Sequence, residues 1–122
     1  MGITAAIRQL GSVTIVDISG NIIFGETTSL RSVTNDLLSK GLKKIVFNLS
    51  GVDHIDSSGV SCVVGTYTSV RNQGGELKLL NPTKKVRDLL RFTNLDAIFD
   101  IRTDEASAIG SFGESTPASA KP

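Results

Sequence analysis

The chain has 122 residues, of which 39% are apolar, and this length and composition suit a single domain with one hydrophobic core. Lys and Arg total 13 against 12 Asp and Glu, so there is no excess positive charge to hold a nucleic acid or an anionic membrane. Nothing in the sequence resembles a signal peptide or a membrane-inserting apolar span, which predicts a soluble, cytoplasmic protein.

The first part of the chain predicts a β-hairpin followed by a helix. Apolar residues alternate with polar ones on both sides of Leu10-Gly11-Ser12, a pattern typical of two antiparallel strands joined by a tight turn. Residues 20–25 then interrupt this alternation. Thr27 or Thr28 is expected to cap a helix that ends near Lys40-Gly41.

The middle of the chain predicts two strands separated by a helix. The run from Lys43 to Leu49 is rich in Val and Ile, which favours a strand in the middle of a sheet. A second helix is expected from near Ser57 to the double glycine Gly74-Gly75. Residues 76–79 alternate between polar and apolar side chains, as a further strand does.

The last part predicts a third helix after Asn81-Pro82-Thr83, a short strand near Ile101 and a fourth helix within residues 104–109. The element order β-β-α-β-α-β-α-β-α predicts a single α/β domain over residues 1–110, with a mixed sheet and helices packed on it. Residues 111–122 are rich in Ser, Gly, Pro and Ala and are expected to form a disordered tail.

The apolar positions of these elements predict the hydrophobic core. Side chains that share one phase of a strand or helix point to the same side of it. The core is expected to contain Ile45, Phe47, Leu49, Val63, Val64, Leu77, Leu79, Val86, Leu89 and Leu90.

The segment Asp56-Ser57-Ser58-Gly59 carries the most information about function. It follows a predicted buried strand and opens a predicted helix, where unpaired backbone N–H groups would stabilise a phosphate on either serine. Ser and Asp are also the commonest residues at helix N-caps. Taken alone, the segment therefore favours an ordinary helix cap over a phosphorylation site.

The residues of an enzyme or a metal site are not found in suitable patterns. A serine nucleophile would need a His base, and His54 lies three residues before Ser57 on what is expected to be an extended loop. Cys62 has only His54 as a possible co-ligand, and it has no second Cys for a disulfide. We therefore predict a protein that is not an enzyme and that needs no metal and no cofactor. A solvated basic side of the third helix is expected from Lys84, Lys85, Arg87 and Arg91.

Taken in order, these features resemble the STAS domain and, within that family, the bacterial anti-sigma factor antagonists. The resemblance extends over roughly residues 3–109. Its most specific part is Asp56-Ser57-Ser58-Gly59 after a strand, followed by a helix and by the Gly74-Gly75-Glu76-Leu77 entry into the next strand. The start of the third helix at Pro82 and the segment Arg91-Phe92-Thr93-Asn94-Leu95 are also similar to the family.

The resemblance implies a regulatory switch. In that family a partner kinase phosphorylates the serine directly after the aspartate, which here is Ser57, with Ser58 as the second choice. The kinase is usually the anti-sigma factor itself, and it is the kinase that binds ATP. The unphosphorylated antagonist binds this partner and frees the sigma factor, the phosphorylated form does not bind, and a phosphatase reverses the change.

The resemblance also implies a partner surface at this segment and at the loop after the second strand. The expected partner-binding residues are Asn21, Ile22, Ile23, Asp56, Ser57, Ser58, Gly59 and Ser61. The loop lacks the acidic residue that is usual in the family, and Val60-Ser61 replaces the usual Leu-Gly after Gly59. Ile22, Ile23 and Phe24 either add apolar contacts to this surface or are buried against the first helix.

A STAS module without the phosphorylation switch is the alternative function. Such a module would act as a scaffold or accessory subunit in a signalling or lipid-transport complex, or as a sensor of a small molecule. An anti-sigma kinase gene beside this gene would favour the switch, and transporter genes would favour the alternative.

Overall fold

A computed structural model describes residues 3–112 of the chain. The strands are β1 (Thr4–Leu10), β2 (Val13–Ile22), β3 (Lys44–Ile55), β4 (Glu76–Leu80) and β5 (Asp100–Arg102). The α-helices are α1 (Thr27–Ser39), α2 (Ser57–Asn72), α3 (Lys84–Phe92) and α4 (Glu105–Gly110), and one turn of 3-10 helix spans Leu95–Ala97. The predicted α/β class and element order are confirmed.

The strands form one mixed sheet in the order β1-β2-β3-β4-β5. The hairpin of β1 and β2 is antiparallel, and every later neighbour is parallel because a helix makes each crossover. Buried side chains of α1, α2 and α3 belong to one hydrophobic cluster, so these helices cover the same face of the sheet. We call this cluster the main core.

Strand β3 supplies the centre of the main core. Its alternating side chains Ile45, Phe47 and Leu49 all point toward the helices, and Phe47 has no exposed surface. Most of the predicted core residues are buried, but Val64 and Leu89 are only partly buried at its margin. The predicted basic side of α3 is exposed except for Arg87, which is half-buried.

The opposite face of the sheet carries a smaller cluster, which we call the second core. Helix α4 covers it, and the ion pair of Arg8 Nη2 with Glu105 Oε1 at 2.8 Å joins this helix to β1. The second core contains Val13, Ile15, Val46, Leu80, Ala108 and Phe112.

The composition of the C-terminal segment predicts a tail from residue 111, whereas the structure buries both Ser111 and Phe112. The Ser111 hydroxyl donates to the Ala108 carbonyl at 2.9 Å, and the Phe112 ring lies 4.8 Å from the Lys78 ammonium. The composition is misleading here because Phe112, a single aromatic residue in a polar segment, packs against the second core. The rest of the predicted tail, residues 113–122, lies outside the described residues.

The start of α1 also differs from the prediction. Neither Thr27 nor Thr28 caps this helix, since its N-cap residue is Glu26, which makes no side-chain cap bond. The Glu26 carboxylate instead accepts a hydrogen bond from the Ile3 amide at 3.3 Å, which ties the start of the helix to the beginning of the chain.

No helix within residues 3–112 has both the length and the apolar character needed to cross a membrane. Within the same part of the chain, no group of three or more His, Cys, Asp or Glu side chains is arranged to hold a metal ion.

Candidate functional site

The candidate site lies at the carboxyl ends of β2 and β3. Strand β3 pairs with β4 only as far as Asn48, but it stays paired with β2 up to Ile55. In this register Asn21 lies beside His54, and Ile22 lies beside Ile55. The loop after β2 and the start of α2, which are far apart in sequence, are thus brought together.

The Asp56 carboxylate joins these two segments. Its Oδ1 accepts a hydrogen bond from the Gly59 amide at 2.9 Å, which caps the N-terminus of α2. Its Oδ2 accepts a hydrogen bond from the Phe24 amide at 3.1 Å, in the loop after β2. The Asp56 amide completes the connection by donating to the Ile22 carbonyl at 3.3 Å.

These bonds favour the ionised form of Asp56. The Gly59 amide, and then the Phe24 amide, lower the pKa of this carboxyl below its usual value of 3.8. A carboxylate with a lowered pKa in the folded state stabilises the protein above its unfolded pKa, and this contribution is lost as the pH falls through the lower folded value.

We therefore expect Asp56→Asn to be less stable than the wild type at pH 6, because an amide oxygen replaces the charged acceptor. The difference in melting temperature should shrink as the pH falls below 3.8, because protons then bind the carboxyl of the unfolded wild-type chain and the stabilising effect of the charge is progressively lost. Thermal unfolding of both proteins between pH 6 and pH 3 measures this. A difference that stays constant over that range would show that the charge of Asp56 does not contribute.

The two serines differ in accessibility. Ser57 is the first residue of α2 and is exposed, whereas Ser58 is half-buried. Within residues 3–112 neither hydroxyl makes a hydrogen bond. A modifying enzyme therefore has freer access to Ser57, at the helix end where backbone N–H groups favour a negative charge.

Two of the predicted partner-binding residues, Ile22 and Gly59, are buried in the domain. Ile22 has no exposed surface and belongs to the main core. Gly59 is buried because α2 approaches β2 closely there: a Cβ atom at this position would lie 2.0 Å from the Ile22 carbonyl oxygen. The Ile22 side chain and the close approach at Gly59 therefore support the site from inside the domain.

The remaining predicted contacts lie at the surface to different degrees. Asn21 and Ser61 are exposed, and Ile23 is half-buried. Phe24, which the family pattern does not mark, is 83% exposed. Alternation along β2 separates buried Ile22 from Ile23, but it does not predict the exposure of Phe24, which lies beyond the end of the strand.

Within residues 3–112, neither His54 nor Cys62 makes a hydrogen bond with the Ser57 hydroxyl. His54 is exposed at the end of β3, so the expected loop is in fact strand. Cys62 is buried in the main core, where burial raises the pKa of its thiol. The charged groups beside Ser57 in sequence are the carboxylates of Asp56 and Asp53, of which Asp53 is exposed.

Residues 4–108 match the STAS domain family. The anti-sigma-B factor antagonist of Bacillus subtilis (strain 168) is 33% identical over 101 residues, which are 83% of this chain and 92% of that protein. A candidate anti-sigma factor antagonist of Thermotoga maritima is 39% identical over 69 residues, or 57% of this chain. This alignment spans 61% of the Thermotoga protein, which is less than two thirds of its length.

The fold is also similar to solved structures. A crystal structure of a candidate anti-sigma factor antagonist from Thermotoga maritima superimposes with a TM-score of 0.85 and 27% identity. The superposition covers 90% of this chain and 95% of the Thermotoga chain.

Proposed function

This chain belongs to the STAS domain family, and we propose that it is an anti-sigma factor antagonist that binds an anti-sigma factor serine kinase and is switched off by phosphorylation at Ser57. The observation that carries the proposal is the exposed Ser57 hydroxyl at the first residue of α2, directly after the Asp56 cap. The name of the Bacillus subtilis relative supports the same class of partner.

A phosphate on Ser57 would act at the surface without unfolding the domain. It adds a charge of about −1.5 to −2 at a helix N-terminus, where backbone amides stabilise anions. Asp53 and Asp56 lie close to Ser57 in sequence, so a partner that accepts the neutral hydroxyl would meet additional negative charge in a segment that is already acidic. Binding should therefore change much more than stability.

The remaining components belong to the partners. The anti-sigma factor supplies the ATP site and transfers the phosphate, and a phosphatase removes it. This chain performs no chemistry of its own in this scheme and acts as a binding protein in the cytoplasm, where sigma factors act. Free antagonist would release the sigma factor and so regulate transcription without contacting nucleic acid itself.

Phosphorylation in vitro tests the proposal. Wild type, Ser57→Ala and Ser58→Ala are incubated with ATP and each anti-sigma kinase encoded in the same genome, followed by peptide mass mapping. Wild type and Ser58→Ala should each gain a single phosphate on Ser57, and Ser57→Ala should gain none. Binding of the same kinase to Ser57→Asp should be at least tenfold weaker than to wild type, about 1.4 kcal/mol or more.

Two results would argue against the proposal. Phosphate on Ser57→Ala at the wild-type rate would mean that another residue is the acceptor. If no encoded kinase modifies the wild type, a STAS module without a switch becomes the better explanation. Circular dichroism of each variant serves as the control, because neither serine hydroxyl makes a hydrogen bond within residues 3–112 and all three substitutions should leave the fold intact.

A further inference from the structure

Phe24 is an unusual residue for the surface of a small domain. Its ring is 83% exposed, and among the described residues only Phe92, on α3, exposes a comparable aromatic surface. A largely exposed aromatic ring gives up the hydrophobic stabilisation of burial, and aromatic residues, including Phe, are enriched at protein interfaces relative to the rest of the surface.

The backbone that carries Phe24 is held in place. The Phe24 amide donates to Asp56 Oδ2 at 3.1 Å, and the Glu26 amide closes a turn by donating to the Ile23 carbonyl at 2.9 Å. Gly25, between them, has a φ of +96°, which a glycine adopts without strain. The ring is therefore presented by an ordered turn, which lowers the entropy that a partner must remove on binding.

The residue that holds Phe24 is also the immediate sequence neighbour of the proposed phosphorylation site. Asp56 precedes Ser57 directly, and its other oxygen accepts the Gly59 amide in the first turn of α2. A phosphate on Ser57 would repel this carboxylate, and its oxygens would compete for the same first-turn amides. Either effect weakens the bond between Asp56 and Phe24.

We propose that Phe24 is the apolar anchor of the surface that binds the anti-sigma factor, and that Asp56 is a positioning residue whose hold on Phe24 is released when Ser57 is phosphorylated. The inference rests on the proposed function, and it specifies how that switch reaches the partner. Because the Phe24 amide is hydrogen-bonded to Asp56, which directly precedes Ser57, we place Phe24 and Ser57 on the same partner surface. The carboxylate of Asp56 beside Phe24, and the exposed Asp53 near it in sequence, fit a partner whose apolar pocket has a basic rim.

Binding measurements test the anchor. Phe24→Ala should bind the anti-sigma factor at least tenfold more weakly than wild type, and Phe24→Leu should recover most of the affinity because it restores an apolar side chain. Phe92→Ala is the matched control, since it removes the same atoms from an equally exposed ring on α3, and it should bind as wild type does. Wild-type affinity of Phe24→Ala would overturn the anchor while leaving phosphorylation of Ser57 intact.

Amide hydrogen exchange tests the hold of Asp56 on Phe24 without any partner. Protein carrying phosphoserine at position 57, introduced by genetic code expansion, is compared with unmodified protein by nuclear magnetic resonance of ¹⁵N-labelled phenylalanine. The Phe24 amide should exchange at least tenfold faster in the phosphorylated protein and in Asp56→Asn, whose single amide oxygen cannot replace both carboxylate acceptors. The Phe47 amide, inside β3, should not change.

The charge control is Ser69→Asp, which adds a negative charge at an exposed position near the other end of α2 and should leave the Phe24 amide unchanged. Equal exchange of the Phe24 amide with and without the phosphate would overturn the positioning role of Asp56. This readout is independent of the kinase experiment, so failure to find a kinase would count against the proposed function and not against the connection between Asp56 and Phe24.

Discussion

Phe47→Ala should lower the free energy of unfolding by about 3–5 kcal/mol, because it leaves a cavity at the centre of the sheet. The Phe47 side chain has no exposed surface and lies in the middle strand, between the parallel neighbours β2 and β4. Urea unfolding of the variant and the wild type measures the difference, and the midpoint should fall with little change in the slope.

Phe92→Ala is the control for this substitution as well. The same atoms are removed from a ring that is 86% exposed, so the cost should be under about 0.5 kcal/mol. If the two variants unfolded at the same urea concentration, Phe47 would not be the centre of the main core and the assignment of the sheet's faces would be wrong.

Gly59→Ala should destabilise the domain by at least about 3 kcal/mol, at the upper end of what overpacking costs. The new Cβ would lie 2.0 Å from the Ile22 carbonyl oxygen and 2.6 Å from Ile55 Cγ1, and the first of these is backbone that cannot rotate away. Helix α2 must therefore move away from β2, which also disturbs the Asp56 cap. Thermal unfolding measures the loss.

Gly65→Ala gives a matched comparison within the same helix. A Cβ at position 65 meets only Arg31 Nη2 at 3.9 Å, so this substitution should stabilise α2 by about 0.5–1 kcal/mol through helix propensity. Opposite signs for the two alanine variants would locate the close contact at Gly59. Similar melting temperatures for Gly59→Ala and wild type would mean that α2 has room at its first turn.

Much of the fold could be predicted because its signals are local. Alternation around Leu10-Gly11-Ser12 and the double glycine after α2 depend on a few neighbouring residues, and both predict the structure correctly. The length of β3 could not be predicted, because Ser50, Asp53 and His54 are polar. These residues can belong to the strand because β4 ends opposite Asn48. Beyond that point β3 pairs with β2 alone, so the polar side chains of this part of β3 can reach water.

The candidate site also combines features that local sequence predicts with features that depend on tertiary structure. Asp56 and Ser57 were predictable because a helix N-cap is a local feature, and the structure places the Asp56 cap where the sequence predicts it. The difference between buried Ile22 and exposed Phe24 depends on tertiary structure: the register between β2 and β3 shifts at Gly20 and Asn21, which fixes the side to which each following side chain points. No local pattern reports such a shift.

The position of α4 has a consequence for the protein during its synthesis. The ribosome makes the chain from the N-terminus at about 5–20 residues per second, and the strands that carry Val13, Ile15, Val46 and Leu80 emerge well before the residues that cover them. Until Phe112 has been released, this face of the sheet stays open to water and to other nascent chains. Burial of the second core is therefore completed only when Ala108 and Phe112 pack onto it. A ribosome that stalls before these residues leaves an aggregation-prone product.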